Sequence, residues 1–387
     1  MNGANGTVNV LGQPCWYFAS ADVEAYVTEQ GGHVGPVTFD TQGRRFQPYA
    51  VAPWAEEPID PSLPSVLQVL RGDFFCLPFG NNDQPHEGSA DPPHGETANE
   101  KWTWEKLQKD DNAVTLHLSL TMSRRAGRVD KYVTLRDGHL ATYSRHVISG
   151  MSGPMNLGHH AMIRFPPQSG SGRLSMSPFL YGQVAPDPLE PLHSGRGSML
   201  KPGSVILSLD IVPTVDGGIT DLTRFPARQG SEDLVMLISD PNQPFAWTAV
   251  AFPDEGLVWF ALKNPRVLRQ TIVWLSNGGR RYAPWNGRHL GIMGLEEVTS
   301  YFHYGFSESV QLNPIAALGD PTFLALRADQ PLEVRYIAAV APIPEGFDRV
   351  AKINACEGTA EVCLTSTSGA SVKIPLHHGF LYGEGGA

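Results

Sequence analysis

Apolar positions along the chain fall in short runs that either alternate with polar ones or are rich in β-branched residues. Val114-Thr115-Leu116-His117-Leu118-Ser119-Leu120 alternates strictly. Leu332-Glu333-Val334-Arg335-Tyr336-Ile337-Ala338, Gly203 to Leu209 and Gly256 to Leu262 are of the same kind. Period-two alternation sends every second side chain to one face, the pattern of a strand. Gly, Pro, Asp or Asn at the ends of each run supplies the turns. Lys109-Asp110-Asp111-Asn112 and Arg136-Asp137-Gly138-His139 are predicted hairpin tips. Glu100 to Leu107 and Leu295 to His303 have helix-compatible composition, though neither carries a long amphipathic repeat. The pattern predicts an all-β chain.

One stretch departs from it. Residues Pro166 to Pro202 are rich in Pro, Gly and Ser and weakly periodic, the mark of a long excursion with one short strand around Phe179-Leu180-Tyr181. Excursions of that size on a compact body often border a binding site. Beyond Gly346, Val350 to Cys356 and Glu361 to Thr365 read as two further strands, with no linker to set them apart. The expected organisation is one domain over 1–387, with a core of about 20–345 and a C-terminal strand extension of about 346–387.

Composition narrows the function. The 387 residues are 41% hydrophobic, enough for a large core, and 40 glycines and 32 prolines are spread throughout as turn punctuation. A formal net charge of −10 argues against a nucleic-acid partner. The basic clusters Arg124, Arg125, Arg128 and Arg280, Arg281, Arg288 are short and fit solvated turns. Cys15, Cys76, Cys356 and Cys363 form no CxxC pair, so a zinc ribbon or redox motif is not expected. Cys356 and Cys363 could pair across a hairpin, but reduced, buried thiols are the preferred state. No run is long and apolar enough to span a bilayer. Met1 to Gly6 shows neither a basic nor an apolar leader region, so the expected location is cytoplasmic. Oligomeric state has no signature.

Three polar islands interrupt the apolar pattern: Pro93-His94-Gly95, Asn156-Leu157-Gly158-His159-His160 and Gly294-Leu295-Glu296-Glu297. Histidine titrates near neutrality and a carboxylate accepts protons, so these residues suit acid/base chemistry without a cofactor. Each has a plainer use: His94 as a turn residue, Glu296 as a solvated strand end, Arg71 as a partner for Asp73. Adjacent strand residues point to opposite faces, so only one of His159 and His160 can enter a given site. A cupin-like metal site needs a His-x-His pair on one face, and none is present; no metal is expected.

The islands also carry a family likeness. Arg71-Gly72-Asp73-Phe74-Phe75-Cys76-Leu77-Pro78-Phe79-Gly80, followed by His94-Gly95-Glu96-Thr97-Ala98-Asn99-Glu100-Lys101-Trp102, resembles the aldose 1-epimerase (galactose mutarotase) superfamily. The similarity is greatest to its branch with Arg-Gly-Gly…Phe-Pro-x-Phe-Gly…His-Gly-Phe-Ala-Arg-Asn-x-x-Trp, which includes hexose-6-phosphate epimerases. Arg71, His94, Asn99 and Trp102 fall on matching positions. Ala98 replaces an arginine of the sugar- or phosphate-facing set, which argues against a phosphorylated substrate. Leu157-Gly158-His159-His160-Ala161-Met162-Ile163 is similar to the strand bearing the family's general acid, with His160 on that position and His159 as runner-up. Trp285-Asn286-Gly287-Arg288 to Leu295-Glu296-Glu297-Val298-Thr299 resembles Pro-Trp-x-Gly-Arg…Leu-Glu-Pro-x-Thr/Ser, with Glu296 on the general base and Glu297 where proline is usual. The opening Gly31-Gly32-His33-Val34 to Phe39 is also family-like, so the resemblance spans roughly 20–345.

The resemblance implies a large antiparallel β-supersandwich with a site on its concave face, and a small carbohydrate as partner, with no cofactor. It implies interconversion of sugar anomers with His160 as acid and Glu296 as base. Arg71, His94, Asn99 and His159 join them as binding residues, and Trp285 or Trp102 as a sugar platform. Asp221 and Asp240 are candidates for a further binding carboxylate. A carbohydrate-binding protein without turnover, or a related hydrolase or lyase, is the alternative; Ala98, Ala161 and Glu297 motivate the former.

Overall fold

The computed structural model describes residues 6–41, 43–88 and 90–384; the leader expectation therefore falls, apart from Gly6, outside the described residues. Two large sheets dominate, one of twelve strands and one of nine. Their inner faces meet in a shared core: Phe39, Phe75, Ile163, Val235 and Leu295 on one side, Leu116, Val133, Trp259 and Val334 on the other. The chain is an all-β sandwich, as its alternation predicts.

The middle of the twelve-stranded sheet runs Asp73–Cys76, Leu157–Arg164, Ile292–Thr299, Gln270–Ser276 and Glu232–Ser239, each antiparallel to the next. These strands are buried on both faces. Their outward residues, among them Phe74, Met162, Met236, Ile272, Trp274 and Val298, form a second apolar cluster under a cap that includes Trp54, Phe79, Trp285 and Phe302. A third cluster lies on the outer face of the nine-stranded sheet. There the strands Val350–Ala355, Glu361–Ser366 and Ser371–Pro375 form a small sheet packed against Tyr143, Phe260 and Ile337.

Double burial explains one departure from the expected elements. Leu295 to His303 is not helical; Ile292–Thr299 is a strand whose both faces are covered, so polar residues mark no solvent side. The helix near Glu100 is instead the short Gly95–Asn99, and Thr103–Asp110 is a strand. Of Gly203 to Leu209 only Val205–Ile206 pairs, at the sheet's edge, and Leu207 is 89% exposed. The excursion holds two strands, Gly172–Met176 and Phe179–Val184, and the tail three. Cys356 and Cys363 are free and half-buried, since Cys363 faces Asn354 across the hairpin. Among the described residues no helix is long and apolar enough to cross a membrane.

Candidate active site

Strand parity builds the site. On Leu157–Arg164, Leu157, Ala161 and Ile163 point into the core between the sheets and Met162 points outward; His160, two before Met162, shares the outward face. On Ile292–Thr299, Met293 and Leu295 point inward and Val298 outward, so Glu296 is outward as well. The ladder sets His160 directly opposite Glu296. Cross-strand partners on one face are close neighbours, and His160 Nε2 lies 3.3 Å from Glu296 Oε1. Gly294 makes room for this: a Cβ there would stand 2.8 Å from Glu296 Oε1 and 3.1 Å from Trp274.

Both groups line a cavity of about 300 Å³ on the outward face of the sheet. Phe74, the ladder partner of His160 on its other side, stacks on its ring at 4.5 Å. His94 enters from the turn leading into Gly95–Asn99, held at a positive φ of 62°. Its ring stands edge-on to His160 at 5.0 Å, with Nδ1 3.5 Å from Cys76 Sγ. Trp274 and Trp285 meet edge to face at 5.9 Å, and Arg280 lies over both, 5.2 and 4.6 Å from their ring centres. Arg280 Nε is 3.2 Å from Glu190 Oε1 and 3.5 Å from Glu232 Oε1. Gly279 lets the loop pass this close, because a Cβ would meet the Glu232 side chain at 2.4 Å. Tyr282 donates to Glu190 at 2.8 Å, and Trp274 Nε1 donates to Glu232 at 2.7 Å.

Burial sets the charge states. It pushes the Glu296 carboxyl up to about 8, with Arg280 pulling the other way. Burial, reinforced by His94, holds His160 well below its ordinary value. His94 is lowered to about 3 and His303, also on the cavity wall, to about 4, both chiefly by burial. Glu232 is raised to about 7 by burial. At neutral pH the central pair is thus a carboxylic acid beside a neutral imidazole, with one transferable proton between them. Among the described residues no three His, Cys, Asp or Glu side chains are grouped to hold a metal ion.

Neither a family model nor a curated protein matches the sequence. Solved structures do. A candidate aldose 1-epimerase from Klebsiella pneumoniae superposes with a TM-score of 0.58 at 10% identity, covering 85% of this chain and 79% of that one. A candidate mutarotase from Salmonella typhimurium gives 0.57 at 13% identity, over 87% of this chain and 93% of its own. A candidate aldose 1-epimerase from Escherichia coli K12 gives 0.55 at 13%, over 86% and 100%. The chain has the galactose mutarotase-like fold. At these identities the likeness is one of architecture.

Within this mutarotase-like sandwich the sequence-predicted residues divide. His160, Glu296, His94 and Trp285 meet at the cavity. Arg71 does not: it is fully buried, and its guanidinium donates to the carbonyls of Val69, Val10 and Leu11. Asn99 is a brace, donating to Pro93 and Gly95 carbonyls and accepting from Val66 N–H. His159 faces the inter-sheet core, bonded to Asp73 at 2.8 Å and stacked on Tyr336. Trp102 is core, its N–H on the Thr97 carbonyl. Asp221 and Asp240 sit in turns, each bonding the backbone two residues on; the carboxylates near the site are Glu190 and Glu232. Arg280, read as a solvated turn, lies on the cavity wall instead. Trp274, Glu190 and His303 line it too; the sequence signal for this wall is Trp274 followed by Asn277-Gly278-Gly279-Arg280, an aromatic strand end running into a tight basic loop.

Proposed function

We propose that the protein is an isomerase of the aldose 1-epimerase type, interconverting the anomers of an unphosphorylated sugar. The observation that carries this is the His160–Glu296 pair, 3.3 Å apart on neighbouring strands and facing a cavity at the small end of ligand sites. Anomer exchange removes a proton from the C1 hydroxyl and delivers one to the ring oxygen; the ring opens, the C1–C2 bond turns and the steps reverse. Both oxygens are bonded to C1, so two adjacent groups can address them together, one donating while the other accepts. Burial favours the form with the proton on Glu296. In that form Glu296 donates to the ring oxygen and His160 accepts from the hydroxyl on opening, and the two exchange duties on closing. This inverts the assignment expected from the sequence, while the proton count is the same.

The surroundings fit a neutral sugar. Arg280, the cationic side chain on the cavity wall, already faces two carboxylates, which leaves little positive charge for a phosphate. Trp274 and Trp285 offer apolar surface to a ring face, and His94 and His303 offer hydrogen bonds to hydroxyls. Polarimetry on freshly dissolved α-anomers tests the proposal: catalysed mutarotation of at least one aldose is expected in the native protein, and none above background in Glu296→Gln. Calorimetric sugar binding without catalysis would instead mark a binding protein. Glu190, which lines the same cavity as Glu296, favours a second reading, glycoside hydrolysis by two carboxylates. Release of reducing ends from oligosaccharides, lost in Glu190→Gln, would support that reading.

A further inference from the structure

A second cavity, of about 500 Å³, lies on the other side of the strand Glu232–Ser239 from the site just described. Glu232 faces the Arg280 loop; Asp233, the next residue, points the opposite way and lines this second space. Asp233 is only 4% exposed. Its Oδ1 accepts from the backbone N–H groups of Met199 and Leu200 at 2.8 and 2.9 Å. Its Oδ2 is bonded to no described residue, and the carboxylate is in no ion pair among them. Oδ2 is not sealed off but opens onto the cavity, so its donor comes from whatever fills that space.

The rest of the lining is mixed: apolar side chains make the floor and part of the rim, while Thr214, Thr220, Ser231 and the exposed Asp216 also border the space. Leu200, Leu222, Phe225 and Leu275 are buried around Asp233. Ile219, 68% exposed, stands on the rim with Val215. Arg224 and Arg228 also border the space but are exposed, so water and salt screen them. The geometry is that of a well with an apolar floor, a mixed rim and one buried carboxylate at its base.

We propose that this cavity is a second, separate binding site for a small aliphatic molecule headed by a primary ammonium group, the head on Asp233 and the body along Leu222, Phe225 and Ile219. An ammonium supplies the missing donor and a counter-charge together. Burial raises the Asp233 carboxyl to about 6, which leaves it mainly ionised at pH 7.5 and able to accept.

Saturation-transfer NMR or calorimetry on the full chain at pH 7.5, with n-hexylammonium and n-hexanoate as probes, decides the matter. Saturable binding of hexylammonium is expected, weakened at least about tenfold in Asp233→Asn through loss of a charge-assisted bond and unaffected by Glu296→Gln. Asparagine keeps the acceptor for Met199 and Leu200, and a melting curve checks its fold. Should that variant unfold, Ile219→Lys on the exposed rim is expected to weaken hexylammonium several-fold by repulsion and lost apolar contact. Absence of saturation, equal binding of hexanoate, or unchanged affinity in whichever folded variant is measured would overturn the proposal.

Discussion

Glu296 and Glu297 are adjacent in the chain and equally buried, yet parity separates their duties. Glu297 points between the sheets, 2.5 Å from Lys263 Nζ, and accepts from Thr248 and Thr271 at 2.8 and 2.7 Å. Removing one partner of such a pair leaves the other charge buried and uncompensated. Lys263→Met is therefore expected to cost about 3–5 kcal/mol in denaturant unfolding. Glu296→Gln replaces a carboxyl that is protonated in the folded chain at neutral pH but ionised in the unfolded one, so its unfolding midpoint should lie at or above that of the native chain. Its kcat/KM for anomer exchange should fall about 10²–10⁴-fold. The same pair fixes a pH dependence. The free protein loses its one transferable proton as Glu296 ionises, so kcat/KM should decline above about pH 8. The acid limb should lie below histidine's ordinary range, because His160 resists protonation. A rate profile over pH 5–10 with a readily assayed aldose checks both limbs.

At the scale of elements, Arg71 ties the start of the chain to the sheet. Its guanidinium is the partner of the Val10 and Leu11 carbonyls at the turn between the first strands, Val8–Val10 and Gln13–Ala19. Arg71→Met should cost about 1–3 kcal/mol, chiefly because the Val69 carbonyl loses its buried donor, and raise amide exchange across residues 8–19. The KM for sugar should not change; a raised KM with unaltered stability would return Arg71 to the site. How far such roles are legible in sequence depends on what flanks them. His160 and Glu296 could be found because their neighbours Leu157, Ala161, Met293 and Leu295 are apolar strand residues, against which a histidine or an acid stands out. Arg71 and Asn99 stand out equally, yet they satisfy backbone groups whose positions only the folded chain reveals. Arg280 was hidden for the converse reason: among Arg281 and Arg288 in a glycine-rich loop it looks solvated, and only the fold of that loop over Trp274 and Trp285 brings it to the cavity. The helix expected over Leu295 to His303 failed because a strand buried on both faces has no polar side to alternate with.

For the whole molecule, the buried titratable groups pull stability in two directions. At least six histidines, His33, His94, His146, His160, His289 and His303, are lowered by burial. In the unfolded chain they take up protons near pH 6.5, while the folded chain does so only at much lower pH, so stability falls as pH drops through that window. Glu232, Asp233 and Glu296 are raised to about 7, 6 and 8. Unfolded, they ionise near pH 4, so each costs stability as pH rises from there to its folded value. Six groups outweigh three between about pH 4.5 and 6.5; above that the acids act until Lys131, lowered by burial to about 8, begins to oppose them. Melting temperature should therefore rise with pH up to about 6–7 and then decline gently toward 8. Thermal unfolding across pH 4–9 would show it; a maximum below pH 5 would mean the acids dominate.

The central claim, that His160 and Glu296 act together on one anomeric centre, is tested most directly by a crystal structure of the protein soaked with a mixture of monosaccharides. The expected result is one sugar in the cavity between Trp274, Trp285 and His94, with its ring oxygen and C1 hydroxyl each within hydrogen-bond reach of one member of the pair. A sugar bound with C1 turned away from both groups, or bound elsewhere with this cavity unfilled, would contradict it.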